Sequence, residues 1–351
     1  MKRLQNRKRY VYTTRMSLRV AASTYKSAWG WVVNAWQKRG GTWYFLGWDY
    51  VGGNGHWSIN LPNSVDHSQQ VWIEYQTKNR FVSIQDANGN AYTWGDYWTL
   101  SGGVTNVGSR YADLTTNGDL PGIDELYVGA TNVWVKFYNN GINALRNNVI
   151  TVTYPNTTAT GKCQKADGSA WSCSYWGDGS IYMIPQHANK SVVQHEIAHS
   201  IDSYYRNGNM PPGSGGGHSL WNCYNNGLAL TEGFGNFISH WVQLASNATN
   251  TTLPAYNMNI ETLPAAVCDG QTNEMQVAAA LWDMYDLWND GPDSSSEFDS
   301  LLYTNPGAIV AIYLGHKKNK MSDYLAVVQS GQSTYWQDEF EKLFRLNTII
   351  P

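Results

Sequence analysis

Two regimes of hydrophobic patterning divide the chain. From about residue 20 to 115, short runs rich in Trp, Tyr, Val and Ile recur at about 8–12 residue spacing, punctuated by Gly and Asn. GTWYFLGWDY and HWSINLP flank the turn GGNG, VWIEYQT and FVSIQD flank KNR, and ANGN leads into AYTWGDYWTL. Such spacing predicts a β-sandwich. The period then changes: Ile123, Leu126, Tyr127, Ala130, Val133, Trp134 and Phe137 recur every three or four residues and predict an amphipathic helix. NNVITVTYP and SIYMIP read as two further strands. Beyond them the chain reads as helix: SVVQHEIAHSIDSYY, GLALTEGFGNFISHWVQLA, TNEMQVAAALWDMYDLW, and a last group around GAIVAIYLG, DYLAVVQSG and WQDEFEKLF. Strands followed by a run of helices predict an α+β protein. The expected organisation is a basic arm over 1–19, a sandwich over 20–117 and a mostly helical domain over 118–351. The boundary falls near 116–121, and there is no internal repeat.

Composition narrows the classes. Hydrophobic residues make up 42% and charged residues 15% of the 351, with 17 Trp and 23 Tyr, which excludes a disordered chain. No stretch approaches the roughly 18 consecutive apolar residues of a membrane span. The net charge is −3, and Lys2, Arg3, Arg7, Lys8, Arg9, Arg15 and Arg19 precede any acidic residue, so the rest of the chain is acidic. An acidic body offers no footprint for nucleic acid. YVYTTRMSLRV supplies no apolar stretch of the kind a signal peptide needs after its charges. The head therefore reads as a solvated basic arm or a processing boundary.

Cys163, Cys173, Cys223 and Cys268 are spaced too irregularly for a zinc ribbon or a redox pair. Two disulfides are expected. The short interval suggests Cys163 with Cys173, leaving Cys223 with Cys268, although four cysteines allow three pairings. Few lysines, many Asn, Gly, Trp and Tyr, and paired cysteines favour a secreted protein. The DANGN run, Asp86 to Asn90, has a faint calcium-loop pattern but fits a plain turn better, so calcium is unsupported.

The chemistry concentrates in HEIAH. His195 and His199, four apart on a helix, present both imidazoles on one face, where they can share a metal at about 2.0–2.1 Å. Glu196, offset by about 100°, can reach a water on that metal without being a ligand. A catalytic zinc needs a third protein ligand and an open position. Glu232, in LTEGFGNFISHW between the apolar Leu230, Phe234 and Phe237, supplies it. The strand SIYMIP ends a few residues before the first helix. In zincin-type sites such an edge strand lies over the cleft and can pair with extended substrate.

HEIAH followed by LTEGFGNF resembles the gluzincin metallopeptidases, and their pairing with AAALWDMYDL is similar to bacterial secreted relatives of the fungalysin family. The resemblance covers about residues 122–290. It implies a zincin-like domain with one Zn²⁺ on His195, His199 and Glu232, and Glu196 as general base. The preceding strands resemble the transthyretin-like or carboxypeptidase-regulatory-like sandwiches of secreted enzymes. Two positions depart from the pattern. Asn236 stands where an Asp commonly orients a zinc histidine, and can accept from an imidazole N–H without charge. Thr272, Asn273 and Glu274 stand where fungalysin-like enzymes carry a His ahead of the LWDLY-type helix. The group that steadies the oxyanion is therefore open between His218, in the loop PPGSGGGHSLWNC, and Tyr285, with Asp283 near it on the same helix; His240 reads as structural. The predicted activity is hydrolysis of peptide or protein substrates. A peptide- or glycan-binding protein on a zincin scaffold, or a zinc hydrolase of a non-peptide amide or ester, are the competing readings. Endo or exo action and oligomeric state are not legible.

Overall fold

The computed structural model describes residues 9–113, 122–142, 149–175, 178–286 and 307–351, apart from 14, 22–23, 28–29, 53, 101–103, 107–108, 247, 249, 254–257, 262, 264–267 and 269. It is a mixed α+β chain that divides into two compact units. One comprises 1–131, 151–171 and 183–188; the other comprises 132–150, 172–182 and 189–351.

The first unit is strand-rich. Strands β1 (Arg9–Thr13), β2 (Arg15–Ala21) and β3 (Thr24–Ser27) are followed by β4 (Val32–Arg39), β5 (Thr42–Tyr50), β6 (Trp57–Leu61) and β7 (Gln70–Gln76). Next come β8 (Val82–Gln85), β9 (Thr93–Thr99), β10 (Val104–Asn106) and β11 (Ser109–Asp113). An antiparallel sheet runs β5-β4-β7-β9, and three-stranded sheets run β10-β1-β6 and β11-β2-β3. Val33, Ala35, Val71, Ile73 and Tyr75 alternate along β4 and β7 and are buried, together with Trp31, Trp57 and Ile59. The basic head is not a free arm from Arg9 onward. β1 pairs with β6 and β10, and β2 with β3 and β11. Its charges mask a run of strand formers, Tyr10, Val11 and Tyr12. The DANGN run is a turn whose Asp86 carboxylate accepts from the backbone N–H of Asn88 and Asn90, at 2.8 and 2.9 Å. Those bonds hold Asp86 below the ordinary carboxylate range.

Helix α1 (Ile123–Asn139) occupies the stretch that its periodicity predicts, with Ile123, Leu126, Tyr127, Ala130, Val133 and Phe137 buried. β12 (Ile150–Thr153) follows, and then a hairpin of β13 (Cys173–Tyr175) and β14 (Ser180–Tyr182). SIYMIP is not an edge strand: Ser180–Tyr182 pairs with β13, and Met183 exchanges backbone hydrogen bonds with Thr153 and Asn156. Its backbone groups are thus taken on both sides, leaving none of the free edge that strand addition requires.

The second unit is built on α2 (Lys190–Tyr205), α3 (Asn226–Gln243) and α4 (Glu274–Asp283), followed by α5 (Ala308–His316), α6 (Leu325–Gln329) and α7 (Thr334–Leu346). The first three start on asparagine caps. Asn189 accepts from Val192 N, Asn225 from Leu228 N, and Asn273 from both Met275 N and Gln276 N. α2 is buried from Val193 to Ser203, so its polar residues must find partners inside the protein. α3 reaches its neighbours through two glycines. A Cβ on Gly233 would stand 2.6 Å from Val277 of α4, and one on Gly235 would stand 2.7 Å from the His195 ring of α2. Cys223 is bonded to Cys268, and no cysteine is free; Cys163 and Cys173, also bonded, make the second disulfide. Among the described residues no helix is long and apolar enough to cross a membrane.

Candidate metal centre

Two helices and one loop place four side chains around one point. The i, i+4 spacing on α2 sets His195 and His199 with their Nε2 atoms 2.9 Å apart. Glu232 enters from α3, its Oε2 lying 2.9 Å from His195 Nε2 and 3.1 Å from His199 Nε2. His218, from the glycine-rich loop, brings its own Nε2 to 3.1 Å from the same Glu232 oxygen. His195, His218 and Glu232 thus offer ligand atoms within 4.8 Å of one another. Ligands on a tetrahedral zinc at about 2.0–2.1 Å stand about 3.3 Å apart, close to the separations seen here.

Second contacts orient the first. His195 Nδ1 lies 3.0 Å from Asn236 Oδ1, one turn beyond Glu232 on α3, so the neutral amide stands where a carboxylate is common. His218 Nδ1 lies 2.7 Å from Glu274 Oε2, at the first residue of α4 and fully buried. The loop carrying His218 is stapled to that helix start. Cys223–Cys268 crosses between the two segments, Tyr224 N donates to Thr272 O at 2.7 Å, and Asn273 Nδ2 reaches Leu220 O and Asn222 O.

The electrostatics are those of a site for positive charge. Burial would raise Glu232, but His199 and the hydrogen bonds from His195 and His199 outweigh it and hold the carboxyl well below its ordinary range. Burial would lower His199 and His218, but both are raised to about 9: His199 by Glu232, and His218 by the Glu274 hydrogen bond together with Glu232. A divalent cation at this point would take over that charge, since ligation requires the neutral rings. Two or three imidazole nitrogens and one carboxylate oxygen form a donor set that zinc accepts, and Cys and Met, which would favour softer ions, are absent from it. Glu196 is buried next to the two α2 histidines; burial raises its pKa, partly offset by His195 and His199.

Other sequence candidates lie elsewhere. Tyr285 just follows α4, packed on Trp241 and Trp282 with its hydroxyl 3.3 Å from Lys136 Nζ. Asp283 accepts from Asn347 Nδ2 at 2.6 Å. The contacts described for them are with Lys136 of α1, Trp241 of α3 and Asn347 just after α7. Glu274 is the participant that residue patterning did not single out. The signal was its place, directly ahead of the AAALWDMYDL run.

The match to known proteins fits this chemistry. Residues 146–347, which hold every member of the cluster, match the family model described as the Mycolysin C-terminal domain. The chain belongs to that family and is related to bacterial metallopeptidases. No curated protein matches. A solved structure that matches is a 9R-lipoxygenase from Cyanothece PCC8801, 10% identical, with a TM-score of 0.22 over 97% of this chain; the chain spans 65% of that one's length.

Two expectations follow from the geometry. Gly235→Ala should push the His195 ring off its position, since the added Cβ would fall 2.7 Å from Cε1 and Nδ1. A loss of about 1–3 kcal/mol of stability and a weaker zinc affinity are expected, read by chemical unfolding and by metal competition. Unchanged zinc affinity would show that the ring has room to give. The second expectation concerns His240, on α3 and buried, its Nδ1 2.8 Å from Asn236 O. Burial pushes it down to about 4. The folded protein keeps it neutral while the unfolded chain protonates near 6.5, so its contribution is whole above pH 6.5 and lost as pH falls toward 4. The loss is about 3 kcal/mol. His240→Gln should flatten that acid limb in urea titrations at pH 7 and 4.5; equal acid loss in both proteins would count against it.

Proposed function

We propose that this chain is a secreted zinc-dependent peptidase that cleaves peptide bonds with an activated water. The observation that carries the reading is the convergence of His195, His199 and Glu232 with Glu196 one residue from the first ligand. When bound, zinc would polarise the scissile carbonyl and lower the pKa of a water toward about 7. The protein groups do the rest. Glu196 takes the proton of the attacking water and returns it to the leaving amine. His195 is oriented by Asn236, and His218, held by Glu274 with its Nε2 3.1 Å from Glu232 Oε2, is the group within reach to donate to the developing oxyanion. The paired cysteines and the lack of a membrane-spanning helix among the described residues are consistent with export.

The experiment is mass spectrometry of a mixed peptide library incubated with zinc-loaded protein. Internal cuts, abolished by chelation and restored by zinc, are the expected outcome. Trimming from one end alone would keep the peptidase and change its class. No cleavage by protein shown to carry zinc would overturn the reading.

A further inference from the structure

One face of the β5-β4-β7-β9 sheet bears an array of aromatic side chains. The strand register puts Phe45, Trp36, Trp72 and Tyr97 side by side, one from each strand, in a rib across the sheet. Residues directly opposite one another share a face, and the opposite face carries the buried Val33, Ala35, Val71 and Ile73, so the rib looks outward. Trp43 and Trp48 of β5 stand in the flanking rows, opposite Lys38 and Asn34. The rings from the two edge strands, Trp43 and Tyr97, stack at 6.3 Å with 23° between their planes, and Tyr97 also meets Trp72 at 4.8 Å. Trp43, Phe45, Trp48 and Tyr97 nevertheless remain 42, 50, 53 and 54% exposed. Exposed apolar clusters of this kind mark interaction sites.

The polar groups among the rings indicate what they contact. In the row beside the rib, Glu74 Oε2 accepts from Asn34 Nδ2, Trp36 Nε1 and Gln76 Nε2 at 3.2, 3.2 and 2.9 Å. A fixed carboxylate and two amides therefore sit among flat aromatic surfaces. A protein partner is disfavoured, because a sheet face offers an extended chain no backbone hydrogen bonds, and the exposed apolar groups here include no aliphatic side chain. Nucleic acid is disfavoured as well. Lys38, on this face, lies over the Trp43 ring, and the carboxylate occupies the middle of the face, where phosphate would be repelled. A ligand with flat C–H surfaces, a rim of hydroxyls and no charge fits both kinds of group. We propose that this face binds a neutral polysaccharide, its sugar rings stacked on Trp43, Trp48 and Tyr97 and its hydroxyls bonded around Glu74.

The full-length chain can be tested by native affinity electrophoresis in gels containing hydroxyethylcellulose, xylan, laminarin or glycol chitin, and by sedimentation with microcrystalline cellulose or chitin. Retardation or co-sedimentation by at least one of these is expected. Trp48→Ala and Tyr97→Ala should each weaken it about ten-fold, with zinc content and circular dichroism unchanged, since both side chains are half exposed. The proposal fails if none of the panel binds, or if both variants bind as the parent does. It fails equally if the parent binds phosphatidylcholine vesicles or a poly(dT) oligonucleotide in place of the glycans. None of these readouts depends on peptide cleavage, so this face and the metal centre stand or fall separately.

Discussion

Glu196→Gln is expected to hold zinc as the parent does and to lose about 10²–10⁴-fold in kcat. The amide has the shape of the carboxylate and fits the same buried position on α2 between the two histidines. It cannot accept a proton, so the attacking water must find another base. His195, His199 and Glu232 are untouched by the change, and metal stoichiometry, measured by elemental mass spectrometry on the same sample, should stay near one per chain. A loss of zinc along with activity would make Glu196 a ligand or a support for one. Activity near that of the parent would show that the base lies elsewhere, with His218 the next group to test.

The sequence was most informative where regular structure fixes side-chain geometry. HEIAH was legible because four residues on a helix fix two imidazoles with no knowledge of the rest of the protein. Glu232 was legible because a carboxylate amid Leu230, Phe234 and Phe237 needs a partner. Glu274 was in view but unread, since its meaning depends on where the loop from Gly213 to Tyr224 travels. That path is set by a disulfide and by capping bonds at the start of α4, not by any period in the sequence. Tyr285 and Asp283 are a different case. They carry suitable chemistry at plausible spacing, but a helix of ten residues turns its far end away from its beginning. At the N-terminus, the positive charges mask the alternation of strands β1 and β2. SIYMIP read as an edge because a single strand reveals its own pattern but not its neighbours.

Arg206→Met should destabilise the protein by about 3–5 kcal/mol, a large share of the roughly 5–15 kcal/mol that holds a domain folded. Arg206 Nε donates to Asp202 Oδ1 at 2.7 Å, both side chains are buried, and Tyr313 donates to the other Asp202 oxygen at 3.2 Å. Tyr324 in turn donates to Tyr313 O at 2.9 Å, so the end of α2 beyond His199 is tied to α5 and the turn after it. Removing Arg206 leaves a carboxylate in an apolar setting that already pushes its pKa up through burial. The deficit therefore has a characteristic pH dependence. The stranded Asp202 binds a proton more tightly in the folded state than in the unfolded one, so the cost of Arg206→Met should shrink as pH falls toward the unfolded carboxylate value near 4. A simple loss of packing would not change with pH. The double variant Asp202→Leu with Arg206→Met removes both charges and should be more stable than Arg206→Met alone, as buried pairs replaced together often are. Urea unfolding of the three variants and the parent at pH 7.5 and 5 reads all of these terms. If the single variant's deficit is the same at both pH values, the buried charge is not its source, and α2 is held in place by packing alone.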